Sequence, residues 1–244
     1  MYRIILAAVL VLGAGPALAE PTDIVVRIIA QDAKFVGTSM GGVRIVLRDA
    51  KKGTVLAEGR TEGGTGNTAR IMKSDGRSPL RADGSEAAFA ATLDIIKPTL
   101  VELEAYGPLD YPESAVRVSQ QRWVMPGEDA TIGDGWTVEL PGLVINPETK
   151  MDGLLARISA KVMPMCGCPI EPDGLWPSGE YEVSVTAWKD GVRIARSKLA
   201  FDTPPGVFSG DIKLPAEGRY ELTVSARNKR TGNSGIRTIE VAAE

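Results

Sequence analysis

Four sulfur atoms lie within six consecutive residues of this chain, in the segment Met163-Pro164-Met165-Cys166-Gly167-Cys168. These are its only two cysteines and two of its seven methionines, and it has no histidine. Thiolate and thioether donors favour soft ions, copper(I) above all. Cys166 and Cys168 can converge on one ion if Gly167 takes an unusual backbone angle. Met163 and Met165, two apart, share a side if the segment is extended, and so complete a low-coordination sulfur site. The candidate metal ligands are therefore Cys166, Cys168, Met163 and Met165, with copper(I) as the cofactor.

The same thiols have another outcome. An oxidising compartment can close them into a disulfide across one glycine, provided the chain bends enough to bring the α-carbons within about 7 Å. Such a ring would brace the loop or take part in thiol exchange. Sequence leaves both outcomes open. Zinc and iron–sulfur sites ordinarily need four Cys or His ligands, and two are present. The absence of histidine excludes Ser-His-Asp and Cys-His nucleophile systems, so no catalytic residue is assigned.

Other candidates carry less. Met40, Met125 and Met151 are further thioethers, but nothing in the sequence brings them near the cluster. Trp176 ends the same Pro- and Gly-rich loop and can shield the sulfurs or meet a partner. The run Gly63-Gly64-Thr65-Gly66-Asn67-Thr68 lacks the Lys-Ser/Thr ending of a phosphate loop and reads as a turn. Asp75-Gly76, Asp83-Gly84 and Asp134-Gly135 are turn pairs without calcium-loop spacing.

The elements that must position the loop are strands. Period-two alternation recurs along the chain, at Ile24–Ile29, Val43–Arg48, Thr54–Ala57, Ala87–Leu93, Thr99–Ala105, Ala115–Val124 and Trp136–Leu140. It resumes at Leu154–Val162, Glu180–Trp188, Val192–Phe201, Val207–Leu214, Gly218–Ala226 and Ile236–Val241. Asp190-Gly191 between alternating runs marks a tight hairpin. This spacing predicts an all-β protein of two β-sandwich domains. The polar stretch Asn146–Lys150 reads as the linker, giving domains at 21–146 and 150–244. Residues 216–226 resemble the late strand of immunoglobulin-like or fibronectin-type domains, with Tyr220 placed as a corner tyrosine. That resemblance implies fold only.

Residues 1–19 carry one Arg, a short apolar run and Ala17-Leu18-Ala19 before Glu20, the pattern of a cleaved signal peptide. Their removal leaves 27 basic residues against 31 acidic ones, interspersed. No nucleic-acid footprint or polybasic membrane patch stands out. The expectation is a periplasmic, non-enzymatic protein that stores, delivers or senses copper(I) through another periplasmic or envelope protein. The alternatives are an interaction or structural module with a CGC disulfide, and a thiol-redox accessory protein.

Overall fold

A computed structural model describes residues 19–244; the expected signal segment lies outside the described residues but for Ala19. Fourteen strands and a single short α-helix make up the regular structure of the described residues, with two 3₁₀ turns. In the first half these are β1 (Glu20–Ala30), β2 (Arg44–Asp49), β3 (Val55–Arg60), α1 (Thr68–Met72), β4 (Phe89–Ile95), β5 (Thr99–Gly107), β6 (Val116–Val124) and β7 (Trp136–Leu140). In the second they are β8 (Leu143–Asp152), β9 (Leu155–Pro164), β10 (Tyr181–Lys189), β11 (Val192–Phe201), β12 (Val207–Lys213), β13 (Gly218–Asn228) and β14 (Ser234–Ala243).

The strands form because their side chains alternate between a core and water. Along β5, Thr99, Val101, Leu103, Ala105 and Gly107 are buried while the residues between them are half-exposed. Along β13, Tyr220, Leu222, Val224 and Ala226 point inward and Arg219, Glu221 and Arg227 outward.

Two sheets pack together in the first half. One has the order β4-β1-β7, with β1 antiparallel to β4 and parallel to β7; the other has the order β3-β2-β5-β6. Val26, Ile28, Val43, Ile45, Leu47, Leu103 and Leu140, all inaccessible to solvent, supply the core between them.

The second half is a seven-stranded sheet, β14-β13-β10-β11-β12-β9-β8. It curls into a sandwich by a strand switch in β11. That strand pairs with β10 from Val192 to Leu199, then with β12 through Ala200 and Phe201. The two ends of the order also meet, since the Leu143 carbonyl of β8 closes against Gly235 of β14. The hairpin at Asp190-Gly191 has both residues at positive φ, 51° and 75°, with Lys189 paired to Val192. The Tyr220 hydroxyl donates to the Ala216 carbonyl at 2.9 Å, the corner contact of immunoglobulin-like sandwiches. The protein is all-β and sandwich-built, as its alternation requires.

One expected element differs. Asn146–Lys150 is not a linker: it lies inside β8, which pairs with β9 without interruption from Leu143↔Pro164 to Asp152↔Leu155. Residues 146–152 alternate exposed and half-exposed, because only the first residues of β8 face the core. Polarity there marks an outward-facing strand end, and Pro147 is tolerated because β8 is an edge strand in the pairing order. Sheet membership changes at Pro141-Gly142, between β7 and β8.

Candidate functional site

The sulfur segment leaves the end of β9 where the two halves meet. Pro164 makes the last pair of the β8–β9 ladder, opposite Leu143. Proline has no N–H to extend a ladder, and the chain turns at once. The Gly167 amide donates to the Pro164 carbonyl at 2.8 Å, closing a four-residue turn, and Gly167 stands at φ +77°. That bend holds the α-carbons of Cys166 and Cys168 5.5 Å apart, and their sulfurs are joined in a disulfide. No free cysteine remains.

The shared side expected of Met163 and Met165 requires an extended segment, and the strand ends at Pro164, between them. Met163 lies in the ladder opposite Val144. Met165 lies in the turn with its methyl against Gly142, where a β-carbon would sit 2.5 Å from Met165 Cε. All four sulfur residues are buried, Met163 and Cys168 at 5% and 4% exposure, Met165 and Cys166 at 1%. As a disulfide the cysteines offer no thiolate to a metal, so ligation requires the reduced loop. Among the described residues, no group of three or more Cys, Asp or Glu side chains is arranged to hold a metal.

Two clefts reach the loop. The larger, about 440 Å³, is lined by Lys34, Ser39, Thr65 and Thr68 from the first half, and by the CGC residues, Glu171 and Trp176 from the second. The smaller, about 280 Å³, lies behind it and is lined by Met163, Gly167, Cys168 and the Pro204–Val207 turn. Cys168 lines both.

Each cleft wall has a local cause. Asn67 caps α1, its side chain accepting from the Arg70 amide at 3.1 Å, and this sets Thr68 at the rim. Lys34 donates to Thr68 Oγ1 at 3.1 Å and to the Gly66 carbonyl at 3.4 Å. Its partial burial lowers the lysine pKa, because the charged form loses hydration. Trp176 is 7% exposed and its indole Nε1 donates to the Asp32 carbonyl at 2.8 Å, across the junction. Asp32 holds the left-handed conformation, φ 57°, that aims this carbonyl.

Asn233 and Met40 complete the junction. Asn233, in the β13–β14 turn, accepts from the Gly142 amide at 2.8 Å and donates to the Gly142 carbonyl at 3.1 Å and the Gln31 carbonyl at 3.4 Å. Met40, at the end of the 3₁₀ turn Thr38–Met40, sets its sulfur against Gly167. Met40 is a candidate thioether by residue type, but no local spacing brings it near the cluster, and Asn233 is an ordinary turn asparagine until its neighbours are known.

No family model matches the chain, and no curated protein matches it by sequence. Among solved structures, similarity extends to a DUF3823 family protein from Bacteroides ovatus, 10% identical, with a TM-score of 0.35 over 92% of this chain and 100% of that one. It also extends to the chicken interferon gamma receptor alpha chain, 11% identical, TM-score 0.33, over 93% and 99%. At these scores the likeness carries no argument about activity.

Proposed function

We propose that the chain is an exported, non-catalytic interaction protein of the cell envelope, which meets its partner at the cleft around the closed CGC loop. The observation that carries this reading is the position of the disulfide. It sits where the two halves meet, on the wall of a cleft built from both. Trp176, Asn233, Met40 and Met165 each make a contact across the junction or at Gly142, where sheet membership changes. A two-cysteine chain of this length does not need a disulfide to make a core, so the brace is local and holds the cleft wall in shape. The signal-like N-terminus and the oxidised pair support an exported location.

The test is site-specific photocrosslinking in intact cells. A crosslinker at Leu175, exposed on the cleft rim, captures one defined envelope protein. The same group at Val192, exposed on the β10–β11 hairpin, does not. Equal capture at both positions, or none at Leu175, sinks the reading.

A second reading, copper(I) binding by the reduced loop, is favoured by the thioether of Met40 against Gly167. Soft donors from two parts of the chain then surround the same turn. The check is a competition titration of the dithiol-reduced, desalted protein with a copper(I) chelator. Wild type binds about one equivalent and Cys166→Ser/Cys168→Ser none; unchanged affinity in the double variant refutes the copper assignment.

A further inference from the structure

Gly167 is the one residue between the two cysteines, and the sulfur of Met40 lies directly over it. A β-carbon at Gly167 would stand 2.6 Å from Met40 Sδ and 3.4 Å from its Cγ. The thioether therefore occupies the space that any other residue between the cysteines would fill. Its own position is held by first-half backbone. Thr38 donates to the Gly63 carbonyl at 3.0 Å, Gly41 to the Thr38 carbonyl at 3.0 Å, and Asp110 to the Met40 carbonyl at 3.1 Å. Met40 is 3% exposed, so its sulfur is kept from bulk water. Met165, by contrast, is committed to Gly142.

We propose that reduction of the Cys166–Cys168 bond opens a three-sulfur copper(I) site made of Cys166, Cys168 and Met40. The inference rests on the copper reading above and changes its ligand set: Met40, from the other half of the chain, takes the place that spacing assigns to Met163 and Met165. A dithiol reductant attacks one sulfur of the disulfide. The S–S bond breaks, and the reductant's second thiol resolves the mixed disulfide. The reductant leaves as its own disulfide, and two electrons and two protons pass to the loop as two thiols. Copper(I) displaces those two protons and stays copper(I). Two thiolates and one neutral thioether give a soft, low-coordinate environment. Because Met40 comes from the first half and both cysteines from the second, bound metal ties the halves together, which the Cys166–Cys168 bond, closed within one loop, does not.

The test uses selenomethionine-labelled mature protein, reduced with a dithiol, desalted anaerobically and loaded with one equivalent of copper(I). Copper-edge X-ray absorption should show two sulfur neighbours and one selenium neighbour. Met40→Leu should abolish the selenium shell and weaken copper affinity roughly 10- to 100-fold, on the scale of losing a supporting group at a metal site. Met165→Leu should retain both. The labelled wild type needs no variant to fold, so its selenium shell alone decides whether a methionine is bound. Copper bound with no selenium shell, or a shell that persists in Met40→Leu, overturns the Met40 assignment and leaves the copper reading standing. A reduced wild type that takes no copper(I) from the chelator overturns both.

Discussion

Asn233 holds the peptide groups of Gly142 by two hydrogen bonds, accepting from its amide at 2.8 Å and donating to its carbonyl at 3.1 Å. Gly142, at φ +118°, is the residue at which the chain passes from one half to the other. The side chain is 5% exposed, so the pair is shielded from water. Asn233→Ala removes both contacts and the bond to the Gln31 carbonyl, and should cost about 1–3 kcal/mol. Chemical denaturation measures the loss, and amide exchange should rise first at Gly142. A variant with wild-type stability and unchanged exchange would show that the junction does not depend on this residue.

The close approach of Met40 to Gly167 makes a second case. Gly167→Ala meets two costs: a collision with a thioether and a left-handed φ of +77°. Together they should destabilise by about 1–3 kcal/mol. Pairing Gly167→Ala with Met40→Ala should relieve the collision but not the backbone strain. A double-mutant cycle with no coupling energy would place the two residues out of contact.

The disulfide itself is open to direct chemistry. Protein purified without reductant should contain no reactive thiol after unfolding in the presence of a thiol reagent. The ring closes over a single residue, so the entropy it removes from the unfolded chain amounts to about 1–2 kcal/mol. Cys166→Ser/Cys168→Ser should therefore fold, with a modest fall in Tm. Two thiols per chain in the untreated protein would contradict the oxidised state. Failure of the double variant to fold would show that the bond does more than brace one turn.

Acid sensitivity should arise away from the loop, at the Arg27–Glu86 pair. Arg27 Nε lies 2.6 Å from Glu86 Oε1, and the glutamate side chain is fully buried. Its other oxygen accepts from the Asp83 and Gly84 amides. Burial alone would raise the Glu86 pKa, but the amides and the Arg27 guanidinium outweigh it and hold the carboxyl below its usual range. A depressed folded pKa means the stabilisation is complete above the ordinary glutamate value near 4.5. It is lost as pH falls through the lower, folded value. Wild type should therefore lose stability as pH falls below the ordinary glutamate value near 4.5, and Glu86→Gln should flatten that dependence while costing about 3–5 kcal/mol at neutral pH, since Arg27 is left unpaired. An identical pH profile in the variant would remove Glu86 from the account.

Much of the architecture was legible because a half-buried strand writes itself as alternation. Thr99–Ala105, Trp136–Leu140, Val192–Phe201 and Gly218–Ala226 all lie within strands of the structure. Asp190-Gly191 named its turn, and Tyr220 its corner contact. β8 was missed because its outer half faces water on an edge, where Asn146, Glu148 and Lys150 look like a linker. The five-residue α1 was missed too, being too short for helical periodicity to show.

The candidate site divides in the same way. Residue types alone restricted its chemistry to sulfur, since a chain without histidine and with two neighbouring cysteines has few other options. They also showed that a bend at Gly167 would be needed to bring those cysteines together. Only the tertiary structure decided what the bend does. Proline ends the ladder at Pro164, so the methionines cannot share an extended face. Met40, 126 residues upstream of Cys166, reaches the loop because two sandwiches meet there. Periodicity reports which face of a strand is wet, a local property; which distant side chain covers a given turn depends on how whole sheets dock, and no local spacing encodes it.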